Sequence, residues 1–184
     1  MKLLSLLLIG FIFLGCVSTP ASSPSASATS SSSSQRQSEL EQRRAERLQL
    51  REQYRQELIE KGLPLLISRF RIGDPNSAGG VLVQFIFENL SEKEIKYVYF
   101  EVTPYNRVND IAPSQIGGKT LARCEAVGPI PQFEYKNGIW ENVWYNPTIT
   151  QAVINRIEII YTDNTTVFID GERAKQMITE REVI

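Results

Sequence analysis

The stretch VLVQFIFENLSEKEIKYVYFEVTPYN, residues 81–106, decides the fold. It is rich in Val, Ile, Phe and Tyr, which fit a pleated, half-buried surface, and a polar run near its middle breaks it once. In its second half Val98, Phe100 and Val102 alternate with Tyr97, Tyr99 and Glu101. Successive side chains of a strand point to opposite faces, so this spacing puts one face in a core and leaves an aromatic second face open to partial cover. Two strands are expected, at 81–89 and 95–105.

The same texture continues on both sides, as short apolar segments separated by Gly, Pro, Asn and Asp. Further strands are expected at 66–72, 120–127, 132–135, 140–145, 153–161 and 165–169. Lys136, Asn137 and Gly138 are read as one hairpin turn and residues 162–164 as another, because Asn and Asp tolerate the left-handed backbone that tight turns need. Seven or eight short strands at this spacing predict a mainly β chain, an immunoglobulin-like β-sandwich over residues 64–171, with a small barrel as the alternative. In the tail, 172–184, Ala174, Met177 and Ile178 stand at helical spacing and predict a short terminal helix.

Upstream, residues 35–62 alternate in charge and are rich in Glu, Gln, Arg and Leu, all good helix formers, until Gly62 and Pro64 stop them. A charged helix is expected, capped by Ser38 with Glu41 three residues on, and supported by the pairs Glu39–Arg43 and Glu57–Lys61. Its leucines lack a 3.5-residue repeat, so a long coiled coil is not expected. Two readings remain, a solvated spacer whose last turns pack on the following domain, or a partner-binding helix. Residues 18–34 hold only Ser, Thr, Ala and Pro, with nothing to bury, and read with Cys16 and Val17 as a disordered tether over 16–34. Such a chain averages about 20 to 25 Å end to end, and the helix would add about 40 Å.

At the N-terminus Lys2 precedes an apolar run, 3–14, broken only by Ser5 and Gly10, and Gly15 stands before Cys16. This is the layout of an export signal over residues 1–15, too short to span about 30 Å of hydrocarbon. Ile12, Phe13, Leu14 and Gly15 ahead of Cys16 resemble the lipobox of bacterial lipoproteins, with Phe13 where leucine is commoner. The resemblance implies cleavage before Cys16, a diacylglycerol on its thiol and attachment to a membrane. Several acyl chains make a stable anchor, at about 0.8 kcal/mol per buried methylene. The other reading is an ordinary signal followed by a chance cysteine. Val17 in place of Asp resembles the pattern sent to the outer membrane of two-membrane bacteria.

Residues 81–106, together with WENVWYN at 140–146, resemble uncharacterised immunoglobulin-like domains of bacterial envelope proteins, and the first stretch is similar to the FxLyD group. The resemblance implies a fold and an extracytoplasmic setting. Those families carry no established reaction, so it transfers no catalytic residue.

Composition excludes more than it names. The 184 residues hold 20 Lys+Arg against 21 Asp+Glu, a net charge of -1, which draws the chain to no nucleic acid. There is no histidine, the usual base near neutral pH and the commonest metal ligand. No metal-ligand spacing, phosphate-binding loop or nucleophile elbow occurs, so neither metal nor cofactor is expected. Cys124 reads as a buried thiol, with Arg123 its only neighbour able to lower its pKa. Trp140, Trp144 and Tyr145 form the densest aromatic cluster and carry two readings, a sugar-stacking face or core packing. Glu134 and Glu141 flank the expected 136–138 turn, as a glycosidase pair would, or are plain surface charges. The function expected is thus a lipid-anchored, non-catalytic envelope module that holds another protein or a surface polymer. The alternative is an envelope hydrolase acting on glycan or peptide through carboxylates.

Overall fold

The structure, a computed structural model, describes residues 29–179, with side chains from residue 35 onward. The expected signal peptide, Cys16, most of the tether and the end of the tail lie outside the described residues. The chain divides into two units, Met1–Leu40 and Glu41–Ile184.

In the first unit the described residues are helical, the opening of α1 (Thr29–Glu60). The helix therefore starts inside the stretch expected as tether. Serine costs a helix only tenths of a kcal/mol, and extending a formed helix is far easier than nucleating one. Ser38 is consequently no N-cap, and its hydroxyl donates back to the Gln35 carbonyl at 2.8 Å.

The second unit holds the end of α1 and seven strands: β1 (Leu65–Ile72), β2 (Gly80–Asn89), β3 (Ile95–Asn106), β4 (Ala122–Ile130), β5 (Tyr135–Tyr145), β6 (Ile149–Tyr161) and β7 (Thr166–Asp170). They form two antiparallel sheets, ordered β1-β2-β5 and β4-β3-β6-β7, with β4 set against β5 and β1 against β6. The chain is a mainly β protein with the layout of a β-sandwich. The alternation seen in sequence holds: Val81, Val83, Phe85 and Phe87 of β2 and Val98, Phe100 and Val102 of β3 are buried in one core. Phe85 stacks on Phe70 at 4.5 Å and on Phe100 of the other sheet at 3.9 Å.

The expected strand at 132–135 and the hairpin at 136–138 are replaced by one continuous strand. Lys136, Asn137 and Gly138 sit inside β5, opposite Phe87, Ile86 and Phe85 of β2, and the chain reverses earlier, around Phe133 with φ of 63°. Gly138 serves packing here: a Cβ on it would lie 2.1 Å from the Trp140 ring. The other expected turn stands, with Asn164 at φ of 64° between β6 and β7. At the C-terminus the Asp170 carboxylate accepts from the Arg173 N–H at 2.9 Å and caps the short α2 (Gly171–Lys175), which buries Ala174.

The last turns of α1 pack on the sandwich. Leu58 is fully buried, and Tyr54 Oη donates to the Gln176 carbonyl at 2.8 Å. Gly62, at φ of 65°, ends the helix, while the Leu63 N–H bonds the Leu58 carbonyl at 2.9 Å. Glu88 of β2 is 0% exposed beneath the helix, with Arg51 Nη2 3.1 Å from Oε2 and Arg55 Nη2 2.7 Å from Oε1. The same guanidiniums lie over the rings of Tyr135 (4.2 Å) and Phe133 (5.3 Å). Burial pushes the Glu88 carboxyl above its ordinary value, against the pull of Arg55 and Arg51, and burial likewise lowers Arg51. Both directions say that desolvation outweighs attraction, the expected balance for a buried ion pair. Breaking the triad and replacing it should therefore differ in sign. In urea unfolding, Glu88→Ala is expected to cost about 3 kcal/mol, by leaving Arg51 without its carboxylate and Arg55 with Glu52 alone, beside aromatic rings. The triple variant Arg51→Met, Arg55→Met, Glu88→Leu is expected to stay within about 1 kcal/mol of the native chain or to exceed it.

Candidate functional site

The outer face of the four-stranded sheet is the surface on which chemistry-bearing side chains meet. Register builds it in rows. Tyr97 lies between Val127 of β4 and Ile160 of β6. Tyr99 lies between Glu125 and Glu158, with Phe168 of β7 beyond, and Glu101 lies between Arg123 and Arg156, with Asp170 beyond. The residues between them in sequence, Val98, Phe100, Cys124, Ala126, Ile157, Ile159 and Ile169, are the buried side of the same strands. The alternation that makes the core thus also makes this face.

Charge fixes the aromatics in place. Arg123 Nη2 meets Glu158 Oε2 at 2.7 Å while its guanidinium lies 3.9 Å from the centre of the Tyr99 ring. Arg156 Nη2 meets Glu101 Oε1 at 2.7 Å while its guanidinium lies 5.3 Å from the Phe168 ring. The Tyr97 and Tyr99 rings stack at 6.1 Å. The side chain of Glu101 pulls the Arg156 guanidinium above its ordinary value, so it stays charged. Both carboxylates are mostly covered and both arginines stand half-exposed above them, with Phe168 56% and Val127 51% exposed at the sides. Tyrosines and arginines already ordered by neighbours are the residue types that dominate binding energy at protein interfaces, because little freedom remains to be lost. A shallow cleft of about 240 Å³ between Lys96, Tyr97, Val127 and Pro129 closes one end of the face.

The residues singled out in sequence fall elsewhere. Trp144 is fully buried, and its indole N–H has no hydrogen-bond partner among the described residues. Trp140 packs edge-on to Phe85 at 6.1 Å, and its Nε1 donates to the Glu125 carbonyl at 3.1 Å, tying β5 to β4. The Tyr145 N–H donates to Ser114 Oγ at 3.1 Å. Trp144 and Trp140 thus take part in packing, the core reading of the two, while Tyr145 stays half-buried. Glu134 and Glu141 do not face each other. With β5 unbroken between them, their seven-residue separation runs along one extended strand, roughly 20 Å. Both are exposed, so no carboxylate pair forms. Tyr97 and Tyr99 were legible as a second face, whereas Arg123, Arg156, Val127 and Phe168 needed the parity of β4, β6 and β7, whose ends the sequence misplaces or shortens.

Among the described residues no group of three or more His, Cys, Asp or Glu is placed to hold a metal ion, and no helix is long and apolar enough to cross a membrane. No family model matches the chain, and no curated protein matches it. Among solved structures, IrmA from Escherichia coli is similar, with a TM-score of 0.40 and 7% sequence identity over 62% of this chain and 86% of that one.

Cys124 is 2% exposed opposite Phe100, and burial pushes its thiol up to about 12. At pH 8 the native protein is expected to take up a thiol reagent at Cys124 only through unfolding, so labelling in urea should follow the unfolding transition. Rapid stoichiometric labelling of Cys124 in the native fold would contradict its placement.

Proposed function

We propose that this chain is a bacterial envelope lipoprotein, held on a membrane by acyl chains on Cys16, which presents an immunoglobulin-like domain as a non-catalytic binding module. The observation that carries the module reading is the outer face of the four-stranded sheet: tyrosine and phenylalanine rings under ordered arginines, with the carboxylates of Glu101 and Glu158 held in ion pairs to those arginines. Such a face suits a partner held by shape, cation–π contacts and charge. The partner is another envelope protein or a surface polymer.

Strand order supports the immunoglobulin-like part. In chain-order letters β7-β6-β3-β4 runs G-F-C-C′, and β1-β2-β5 runs A-B-E, as in the two sheets of immunoglobulin domains whose fourth strand joins the third. The anchor is supported by the apolar run 3–14 and by Gly15 before Cys16, and the Ser/Ala/Pro stretch that follows would lift the domain clear of headgroups.

Intact mass and membrane fractionation in a bacterial host, beside a Cys16→Ser variant, test the anchor. The native chain is expected in the membrane fraction, cut before Cys16 and heavier by its acyl groups, and the variant is expected to lose both properties. Soluble, unacylated protein in both cases would remove the lipid from this reading.

A further inference from the structure

A β-sheet edge offers unpaired N–H and C=O groups to any passing strand, and proteins ordinarily block it with proline, charge, bulges or a covering segment. Three of the four edge strands here are blocked. β4 carries Pro129 and has its Glu125 carbonyl taken by Trp140 Nε1. β5 bulges against β2, with Asn142 at φ of 55°, and its Tyr145 carbonyl accepts from the Gln115 N–H at 2.8 Å. β1 is covered at Ile67, whose N–H donates to the Met177 carbonyl at 2.8 Å and whose carbonyl accepts from the Thr179 N–H at 3.0 Å. Beyond that point β1 shows Arg69 and Arg71.

β7 is short and ends in Asp170, but it has no proline, bulge or covering segment. Its sequence, Thr166-Val167-Phe168-Ile169-Asp170, contains no proline and no basic residue, and it pairs with β6 without a bulge. Thr166, Val167 and Phe168 are exposed. Among the described residues no backbone hydrogen bond reaches its outer edge.

Beside this edge lies a groove of about 290 Å³, lined by Val167 and Ile169 with Ile59, Leu63 and Leu90, and with two charged groups in its lining, Arg173 and Glu92. It sits at the lower limit of the roughly 300 to 1,000 Å³ of small-molecule sites. That is room for one or two side chains rather than a cofactor. A second copy of this domain is a poor occupant. Two five-residue strands paired edge to edge, each about 17 Å long, bury on the order of 200 Å² per partner, against about 800 Å² in a standard interface. A single extended strand fits both features, because its backbone pairs with the edge while alternate side chains turn into the groove. Arg173 favours a carboxylate at that end by charge.

We propose that β7 is a strand-addition site: an extended segment of a partner protein pairs with it, seats large apolar side chains beside Val167 and Ile169, and sets an acidic residue against Arg173. The site rests on the reading of the chain as a binding module and not on the lipid at Cys16.

The test is selection of a phage-displayed random-peptide library on the purified full chain, followed by binding of the enriched peptides in synthetic form. Enriched peptides are expected to alternate apolar and polar residues, carry an acid near one end, and slow hydrogen exchange at β7. Val167→Lys and Arg173→Glu should each weaken binding by about tenfold or more, with the urea midpoint unchanged. N-methylation of one alternate set of peptide amides should abolish binding, and of the other set should not, a signature that a purely apolar contact lacks. Peptides indifferent to N-methylation overturn the proposal, as does a concentration-dependent dimer that occupies β7. Peptides that map to Tyr99 and Arg123 overturn the edge site and leave the binding module standing. Enrichment of no peptide at all removes the edge site and its peptide partner together.

Discussion

The ring of Phe85, gripped between Phe70 of its own sheet and Phe100 of the opposite one, is the contact on which the rest of the sandwich depends. It joins two sheets that share no backbone hydrogen bonds, and it does so at the middle strand of the smaller sheet. Trp140 meets the same ring edge-on, and to reach it must cross the backbone at Gly138, where a Cβ would collide. The packing thus dictates a glycine in mid-strand. Once Trp140 is placed there, its indole N–H reaches the Glu125 carbonyl and closes the β4–β5 side of the sandwich.

This ordering explains what the sequence disclosed. Period-two alternation is a property of each strand alone, so Val98, Phe100 and Val102 announced the core and Tyr97, Tyr99 and Glu101 the opposite face without knowledge of any partner. The turn at 162–164 was equally local, since Asp163 and Thr165 hold it through their own bonds. Asn137-Gly138 carries the same local signature as a turn. Its use is decided by Trp140 and by Gln84, which donates to Asn137 from the neighbouring strand, and neither is visible from spacing. Of the two readings left open for Trp140 and Trp144, packing against the core is the one seen, and spacing along the strand could not choose it because burial depends on what lies across the sheet.

Glu88 shows the limit from the other direction. Alternation along β2 assigns it to the outward face, where a carboxylate is ordinary, yet the last turns of α1 cover it completely. Helix and strand are linked by Arg51 and Arg55 pairing with one carboxylate, a relation 33 or more residues apart in sequence. Because burial already disfavours that carboxylate's charge, the triad adds little net stability over an apolar contact. Its effect is on register: only a helix that brings both guanidiniums to Glu88, and over Tyr135 and Phe133, satisfies the buried charge.

The two sheets are unequal, and the exposed apolar surfaces follow from that inequality. Three strands facing four leave β7 packed on β6 and α2, with its outer edge open and Val167 beside a groove. On the outer face of the larger sheet nothing comparable to the α1 cover over Glu88 appears among the described residues, so its tyrosines are ordered by Arg123 and Arg156 instead of by a neighbouring element. The smaller sheet thus spends its outward positions on docking a helix, and the larger one keeps rigid aromatic positions and a free edge in contact with solvent. A domain that needed only to fold would gain from covering Phe168 or placing a lysine at Val167. That β7 does neither is the physical ground on which binding is proposed for this side of the molecule.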